Sequence, residues 1–384
     1  MRSSKPKDSF RVTKSPKRLQ EFAANLEKSF KASLPSRDHP YDKVAVLAFH
    51  WANDEMGVEA LETQLLGLFK DIYGYEIEPW IIPLANSTWA LVTKLVTWTN
   101  DHQGDRTLRI YVYSGHAASA GTTDGVWELA GRADSQGNLV GPKADWFSAS
   151  RGIESAPGDI CYIFDCCSAG PAALESGAEL ICASGWEQSA GENLQYSFTQ
   201  ALIDTLKDLK GQTETLAGIF AVLFRNVYES QISSCPVHVP KRNSPSITLA
   251  KLGKSNEVPQ NKRVKTQHRV LLSVHLKDNQ PDIEAWNDWV NTNIPPGIVS
   301  ADIKIESVFK TSSIIMLVTV PLEIWTMLDR DDEAFSFVSH VLSHNTLPTA
   351  TAQSLQPPLP VRPPPDPQSS ENTPPSHRYR KSLG

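Results

Sequence analysis

Features that define several other classes of protein are scarce in this sequence. Only five cysteines occur in 384 residues, an odd number, and four of them fall within 22 positions in or beside apolar runs. Such a distribution is not typical of a disulfide framework, so we expect a reducing, intracellular setting such as the cytoplasm. No segment approaches the ~20 continuous apolar residues of a membrane helix. The first twenty residues also lack the apolar core of a secretory signal.

The charge balance excludes a further class. The formal net charge is −6, without the basic excess that a dedicated nucleic-acid binder carries. We therefore expect neither nucleic acid nor a membrane surface among the partners of this chain.

Composition and apolar spacing divide the chain into five predicted segments. They are a flexible basic arm with a leading helix (1–40), a region of alternating strands and helices (41–253), a polar linker (254–267), a small β-α-β-β-α domain (268–345) and a proline-rich disordered tail (346–384). The alternating region predicts an α/β fold with a mostly parallel sheet covered by helices on both faces. In the small domain, the two helices are predicted at 282–293 and 332–344.

Two predicted strands of the alternating region end on reactive side chains. One apolar run ends at His116, and another ends at Cys166 and Cys167. Because the carboxyl ends of parallel strands meet at one edge of a sheet, we expect His116 and Cys167 to lie close together. A catalytic thiol needs a nearby imidazole and donors for a developing oxyanion, and such an edge supplies both. Cys166, one position earlier in the strand, is expected to face the core.

A metal site is the other chemistry that a histidine and two cysteines suggest. Adjacent residues of a strand face opposite sides, however, and the sequence has no Cys-x-x-Cys pair. We therefore expect no metal and no other cofactor.

The two strand-end motifs resemble those of the caspase-like clan of cysteine peptidases, which includes metacaspases and their fungal relatives. YVYSGHA (111–117) is similar to the family's strand ending in Ser-Gly-His-Gly, and YIFDCCSAG (162–170) to Asp-x-Cys-x-[Ser/Ala]-Gly. The histidine precedes the cysteine by 51 residues, as in caspases, where the separation is about 50. The resemblance covers roughly 41–252 and implies a three-layer α/β/α sandwich.

Residue by residue, the resemblance implies a cysteine-type endopeptidase. Cys167 would be the nucleophile and His116 its acid/base partner. The backbone N–H groups of Ala117 and Cys167 would form the oxyanion hole. Ala117 stands where the family usually has glycine, so its N–H serves without strain only if its φ is negative.

The resemblance also implies a substrate pocket. Metacaspase-like peptidases favour Arg or Lys before the scissile bond because acidic side chains line that pocket. Asp165 matches one such acid, and ICASGWEQSA (181–190) resembles the next strand's motif with residues missing, which would make Glu187 the second acid and Trp186 a pocket wall. Two carboxylates would attract a guanidinium or ammonium group. Alternatively, Asp165 caps a helix or loop, Glu187 is an exposed loop charge, and Trp186 covers the core.

Two functions stay open from the sequence. The first is an active endopeptidase acting on peptide or protein substrates. The second is a catalytically impaired relative that serves as a signalling or adaptor module, which Ala117 and the irregular SGWEQ segment favour. In both cases the 268–345 domain and the proline-rich tail are candidate contact surfaces for protein partners. Calcium dependence, seen in some metacaspase-like relatives, relies on acidic clusters that we do not find in this sequence.

Overall fold

Strands and helices alternate over most of the chain. The computed structural model describes residues 17–35, 40–119, 126–167, 177–184, 197–228, 235–253, 268–277, 286, 303–310, 314–329, 332 and 334–346. Within them the strands are β1 Lys43–Trp51, β2 Glu76–Ile82, β3 Thr107–Ser114, β4 His116–Ser119, β5 Trp127–Ala133, β6 Leu139–Asp145, β7 Asp159–Asp165, β8 Glu179–Cys182, β9 Glu214–Thr215, β10 Val237–Val239, β11 Thr248–Leu249, β12 Arg269–Leu276, β13 Lys304–Lys310, β14 Ile314–Pro321 and β15 Phe335–Val341. The helices are α1 Leu19–Ser33, α2 Glu59–Leu68, α3 Ser87–Asp101, α4 Trp146–Ser150, α5 Phe198–Leu209, α6 Leu216–Tyr228 and α7 Leu322–Trp325, and a π-helical turn, Phe69–Tyr73, continues α2. None of these described helices is long and apolar enough to cross a bilayer.

A six-stranded sheet occupies the centre of the molecule, with the strand order β10-β8-β7-β3-β1-β2. Every neighbouring pair is parallel except β10 with β8. The central strands β1, β3 and β7 are buried along nearly their whole length because both faces are covered, which accounts for continuous apolar runs such as KVAVLAFHW. The predicted α/β fold with a mostly parallel sheet is confirmed.

Alternation along the strands divides the interior into two cores. In β1, Val44 and Val46 face one core, while Ala45 and Leu47 face the other. Helices α1, α2, α5 and α6 contribute to the first core, and α3 and α4 contribute to the second. The main sheet is therefore the middle layer of an α/β/α sandwich.

A small antiparallel sheet, β4-β5-β6, follows directly after β3. Trp127 of β5 stacks on Phe164 of β7, with ring centroids 5.8 Å apart and planes 15° from parallel. This stacking fixes the small sheet against the carboxyl end of the main sheet. His116 is the first residue of β4, so the small sheet also carries one of the predicted site residues.

The C-terminal part of the described chain is a four-stranded antiparallel sheet with the order β13-β14-β12-β15. The helix predicted at 332–344 is wrong, because FSFVSHV forms β15 and pairs with β12. Aromatic and β-branched residues favour a strand where a partner strand is available. The helix predicted at 282–293 lies outside the described residues, apart from Trp286.

The inner face of this C-terminal sheet contributes to the first core. Val270 and Leu272 of β12 belong to the same apolar cluster as Phe22 of α1. Trp286 stacks on Phe22, with ring centroids 5.9 Å apart and planes 11° from parallel. The described residues up to Asn345 belong to one compact unit, and the C-terminal sheet shares a core with the preceding chain. The predicted domain limits stay predictions, and the linker and nearly all of the tail lie outside the described residues.

A buried polar cluster joins the main sheet to the segments around it. Glu179 of β8 has no exposed surface, and its carboxylate accepts hydrogen bonds from the Ser246 hydroxyl and the Ile247 N–H, each at 2.6 Å. His238 of β10 lies with Nε2 2.6 Å from the same carboxylate and with Nδ1 2.8 Å from the Thr326 hydroxyl after α7. One carboxylate therefore holds three stretches of chain together.

Replacing Glu179 by alanine will lower the free energy of unfolding by about 3–5 kcal/mol, because it leaves several buried polar groups without their partner. Urea denaturation followed by tryptophan fluorescence measures the loss. The matched control is Glu27→Ala, which removes a surface pair with Lys31 at 2.6 Å and will cost less than about 0.5 kcal/mol. Equal losses in the two variants would contradict this account of the cluster.

Candidate functional site

The carboxyl ends of β3 and β7 bring the two predicted catalytic residues to one edge of the main sheet. The strands pair in parallel, with Ser114 opposite Asp165, and the Gly115 N–H donates to the Asp165 carbonyl at 3.2 Å. His116 and Cys167 each lie two positions beyond this last matched pair. The register of β3 with β7 therefore brings the two chain segments that carry His116 and Cys167 side by side, just beyond the ends of these strands.

The backbone leading into His116 is held by Gly115 and Tyr113. Gly115 has a φ of +150°, and a Cβ there would lie 2.7 Å from the Tyr113 hydroxyl oxygen. That hydroxyl lies 2.8 Å from the His116 carbonyl oxygen and 3.1 Å from that of Ala130. Burial raises the pKa of Tyr113 well above its usual value, so the hydroxyl stays a donor. Only glycine permits this close approach.

Ala117 follows His116 inside β4, opposite Leu129 of β5. Its backbone is extended and it is not among the residues with positive φ. The strain that a left-handed alanine would bring is therefore absent at this position. Its N–H as an oxyanion donor stays a prediction.

The two adjacent cysteines occupy different environments. Cys166 is 1% exposed, and burial raises the pKa of its thiol well above the usual value, which makes it a poor nucleophile. Cys167, the next residue, is partly exposed. Cys166 therefore faces the core, as predicted from strand alternation.

Asp165 is bound to the start of α5. Its Oδ2 accepts hydrogen bonds from the Thr199 N–H at 3.0 Å and the Thr199 hydroxyl at 2.7 Å. Burial raises the pKa of Asp165, and the two Thr199 donors act in the opposite direction. This is the helix-capping arrangement that the sequence left open as an alternative, and a contact between Asp165 and substrate stays a prediction.

A pocket of about 10 Å³, which is room for about one water molecule, opens beside Asp165. Its other lining residues are Met56, Val58, Leu61, Ser114, Ser197 and Thr199. The other two predicted pocket residues, Trp186 and Glu187, lie outside the described residues.

Glu55 is the site residue that the sequence did not reveal. It lies in the loop after β1, and its Oε1 is 3.3 Å from Nε2 of His116. A hydrogen bond from the Ala133 N–H, followed by one from Arg132, lowers the pKa of Glu55, so this carboxylate stays ionised. The only signal in the sequence is that an acidic loop follows a buried strand, and that signal does not say which acid meets the histidine.

Comparisons with known proteins give structural neighbours and no sequence relatives. No family model matches the chain, and no curated protein matches it. Caspase-1 from Spodoptera frugiperda is 11% identical, with a TM-score of 0.41, over 58% of this chain and 94% of that one. A Geobacter sulfurreducens structural-genomics target is 11% identical, with a TM-score of 0.39, over 53% and 97%. The Drosophila initiator caspase Dronc is 11% identical, with a TM-score of 0.34, over 50% and 75%. At these values the neighbours assign no function to the chain.

Gly115→Ala tests the close approach that positions His116. We expect the free energy of unfolding to fall by about 2–4 kcal/mol, because a strained φ and a displaced Tyr113 hydroxyl add together. Gly137→Ala is the control, since Gly137 has a φ of +83° but open space around its Cβ position. It will lose only about 1 kcal/mol in urea denaturation. A Gly115 variant no less stable than the control would show that the approach is not a constraint.

The buried pair of His50 and Glu62, beside the end of β1, predicts a pH dependence of stability. His50 Nδ1 is 3.0 Å from the Glu62 carboxylate, and this hydrogen bond raises the pKa of His50 while burial lowers it. A raised histidine pKa stabilises the fold fully below the unfolded value of about 6.5 and loses this effect as pH rises through the folded value. The stability difference between wild type and Glu62→Gln will therefore shrink as pH rises above about 6.5. A difference that grows over this range in denaturant titrations would contradict the assignment.

Proposed function

We propose that the chain is a caspase-like cysteine endopeptidase of the metacaspase type that cleaves after Arg or Lys. The observation that carries the proposal is the parallel pairing of β3 with β7, which sets His116 and Cys167 at the same edge of the sheet. Two further observations support it. Cys167 is partly exposed whereas Cys166 is buried, and Ala117 has an extended backbone.

In the proposed mechanism His116 accepts the proton of the Cys167 thiol, and the thiolate attacks the carbonyl carbon of the scissile peptide bond. The backbone N–H groups of Ala117 and Cys167 donate to the oxyanion. The imidazolium then protonates the leaving amine, the C–N bond breaks, and a thioester remains on Cys167. Water, deprotonated by His116, attacks the thioester and releases the carboxylic acid product and the thiol. The dyad uses no metal or other cofactor.

A reducing compartment is part of the proposal. None of the five cysteines is in a disulfide, and a nucleophilic thiol beside a second cysteine is at risk of oxidation. A cytoplasmic location keeps both in the thiol form.

For substrate selection we propose that Asp165, with Glu187 as second acid and Trp186 as a wall, binds the basic side chain before the scissile bond. A buried carboxylate that already accepts two hydrogen bonds has lone pairs left for a guanidinium.

The two hydrogen bonds that Asp165 accepts from Thr199 also favour a second candidate, a catalytically impaired adaptor. If Asp165 serves only to anchor α5, the fold keeps His116 and Cys167 but loses one of the two acids proposed to bind a basic substrate side chain. Such a protein would act through contact surfaces, for which the C-terminal sheet and the proline-rich tail are the candidates.

Cys167→Ala will abolish hydrolysis of short peptides that carry Arg or Lys before a fluorogenic leaving group, because it removes the nucleophile. Cys166→Ala is the matched control and will retain activity, since the Cys166 thiol is buried. Asp165→Asn will lower kcat/KM for the Arg peptide by about 10- to 100-fold, as expected for losing a charged hydrogen bond.

Peptides with Asp in place of Arg or Lys provide the specificity control. Equal rates of hydrolysis by wild type and Cys167→Ala on every peptide would contradict the peptidase proposal and favour the adaptor. Labelling with a peptide electrophile, followed by mass spectrometry, locates the reactive thiol independently. An adduct on Cys166 in preference to Cys167 would overturn the assignment of the nucleophile.

A further inference from the structure

The loop after β1, residues 52–58, brings the carboxylate of Glu55, an exposed residue, next to the buried Nε2 atom of His116. Asp54 in this loop accepts hydrogen bonds from the Gly57 N–H at 2.7 Å and the Val58 N–H at 3.0 Å, which fixes the turn into α2. The Glu55 N–H donates to the Gly131 carbonyl of β5 at 3.3 Å. These contacts hold the loop at its middle and at its junction with α2.

Close contact between this loop and β5 depends on the absence of a side chain at Gly131. A Cβ there would lie 2.7 Å from the Cβ of Trp51, at the end of β1. The strand β5, which contacts the loop, also pairs with β4. In this pairing Ala130 of β5 lies opposite His116 of β4. Glu55 and His116 therefore belong to one packed arrangement.

The two carboxylate oxygens of Glu55 lie next to three groups, those of Ala133, His116 and Arg132. Oε1 accepts from the Ala133 N–H at 2.8 Å and lies 3.3 Å from His116 Nε2, while Oε2 accepts from Arg132 Nε at 3.1 Å. Nε2 of His116 is buried and makes no hydrogen bond of good geometry to the described residues. Glu55 is the one carboxylate that the described ion pairs place beside it.

We propose that Glu55 is a positioning residue for His116, with Arg132 setting how strongly it acts. The proposal rests on the proposed peptidase function. Held with Nε2–H towards Glu55, the ring presents its other nitrogen, Nδ1, as the base for Cys167. A small movement of the Glu55 carboxylate completes the Nε2–H hydrogen bond and stabilises the imidazolium that forms during catalysis. Arg132 competes for the same carboxylate, so it limits this effect.

The test measures the imidazole directly and does not depend on activity. The ring signal of His116 is followed by NMR against pH in a Cys167→Ala background, which removes coupling to the thiol. Glu55→Gln keeps an acceptor for the Ala133 N–H but loses the charge. We expect the titration midpoint of His116 to fall by about one pH unit, because an adjacent anion favours the charged ring.

Other charges near His116 need to be accounted for in this experiment. The ionisable groups on the elements packed around it are Asp54, Glu59, His50, Glu62, Glu128, Arg132, Lys143 and Asp165. Glu59→Gln is the matched control, because it removes the same charge from an exposed position four residues from Glu55. In this control variant the titration midpoint of His116 will equal that in the Cys167→Ala background protein.

Arg132→Gln separates a direct effect from one that acts through Glu55. With the competing cation removed, the midpoint of His116 will rise. In the Glu55→Gln background the same change will have a much smaller effect, because the carboxylate it acts through is absent. An equal rise in both backgrounds would show that Arg132 acts on the ring directly, and would overturn its assigned role.

In the otherwise wild-type protein, Glu55→Gln will lower kcat for the Arg peptide by about 10- to 100-fold, part of the usual contribution of general acid–base catalysis. KM will not change, because Glu55 does not contact substrate. If the wild type hydrolyses peptides while Glu55→Gln leaves both kcat and the His116 midpoint unchanged, the positioning role fails and the peptidase proposal stands. If no peptide is hydrolysed but the midpoint falls, the contact is established and the peptidase proposal fails.

Discussion

The parallel pairing of β3 with β7 is the constraint on which the rest of the site depends. Both strands are buried on two faces, so a shift of register by one residue would move every side chain to the opposite core. The register therefore cannot slip, and it brings the segments that carry His116 and Cys167 to the same edge of the sheet. The stability of the α/β/α sandwich and the geometry of the candidate dyad have the same physical origin.

Several structural contacts order the edge of the sheet around His116 and Cys167. Tyr113 and Gly115 fix the turn into His116, Asp165 fixes the start of α5, and the burial of Cys166 leaves Cys167 as the more accessible thiol. Each of these features is a hydrogen bond, a close backbone contact or the burial of a side chain. Together these contacts order the backbone that leads into His116 and the start of α5.

The C-terminal sheet is part of the same construction. Its inner face completes the first core beside α1, and the cluster around Glu179 joins the main sheet to the chain on either side of it. Apolar burial supplies most of the stabilisation, whereas the buried carboxylate specifies which segments meet. The candidate site therefore lies on a framework to which residues far along the chain contribute.

By itself the sequence determined the features that depend on neighbouring residues. Continuous apolar runs predicted the buried strands, strand alternation separated Cys166 from Cys167, and the strand-end positions of His116 and Cys167 predicted a common edge. Only the tertiary structure decided the remainder. Glu55 meets Ala133 across 78 positions, and Glu179 meets Ser246 across 67. The strand β15 forms because β12 is there to pair with it. Contacts between residues distant in the chain leave no local pattern, since they arise from packing and not from the spacing of side chains along one element.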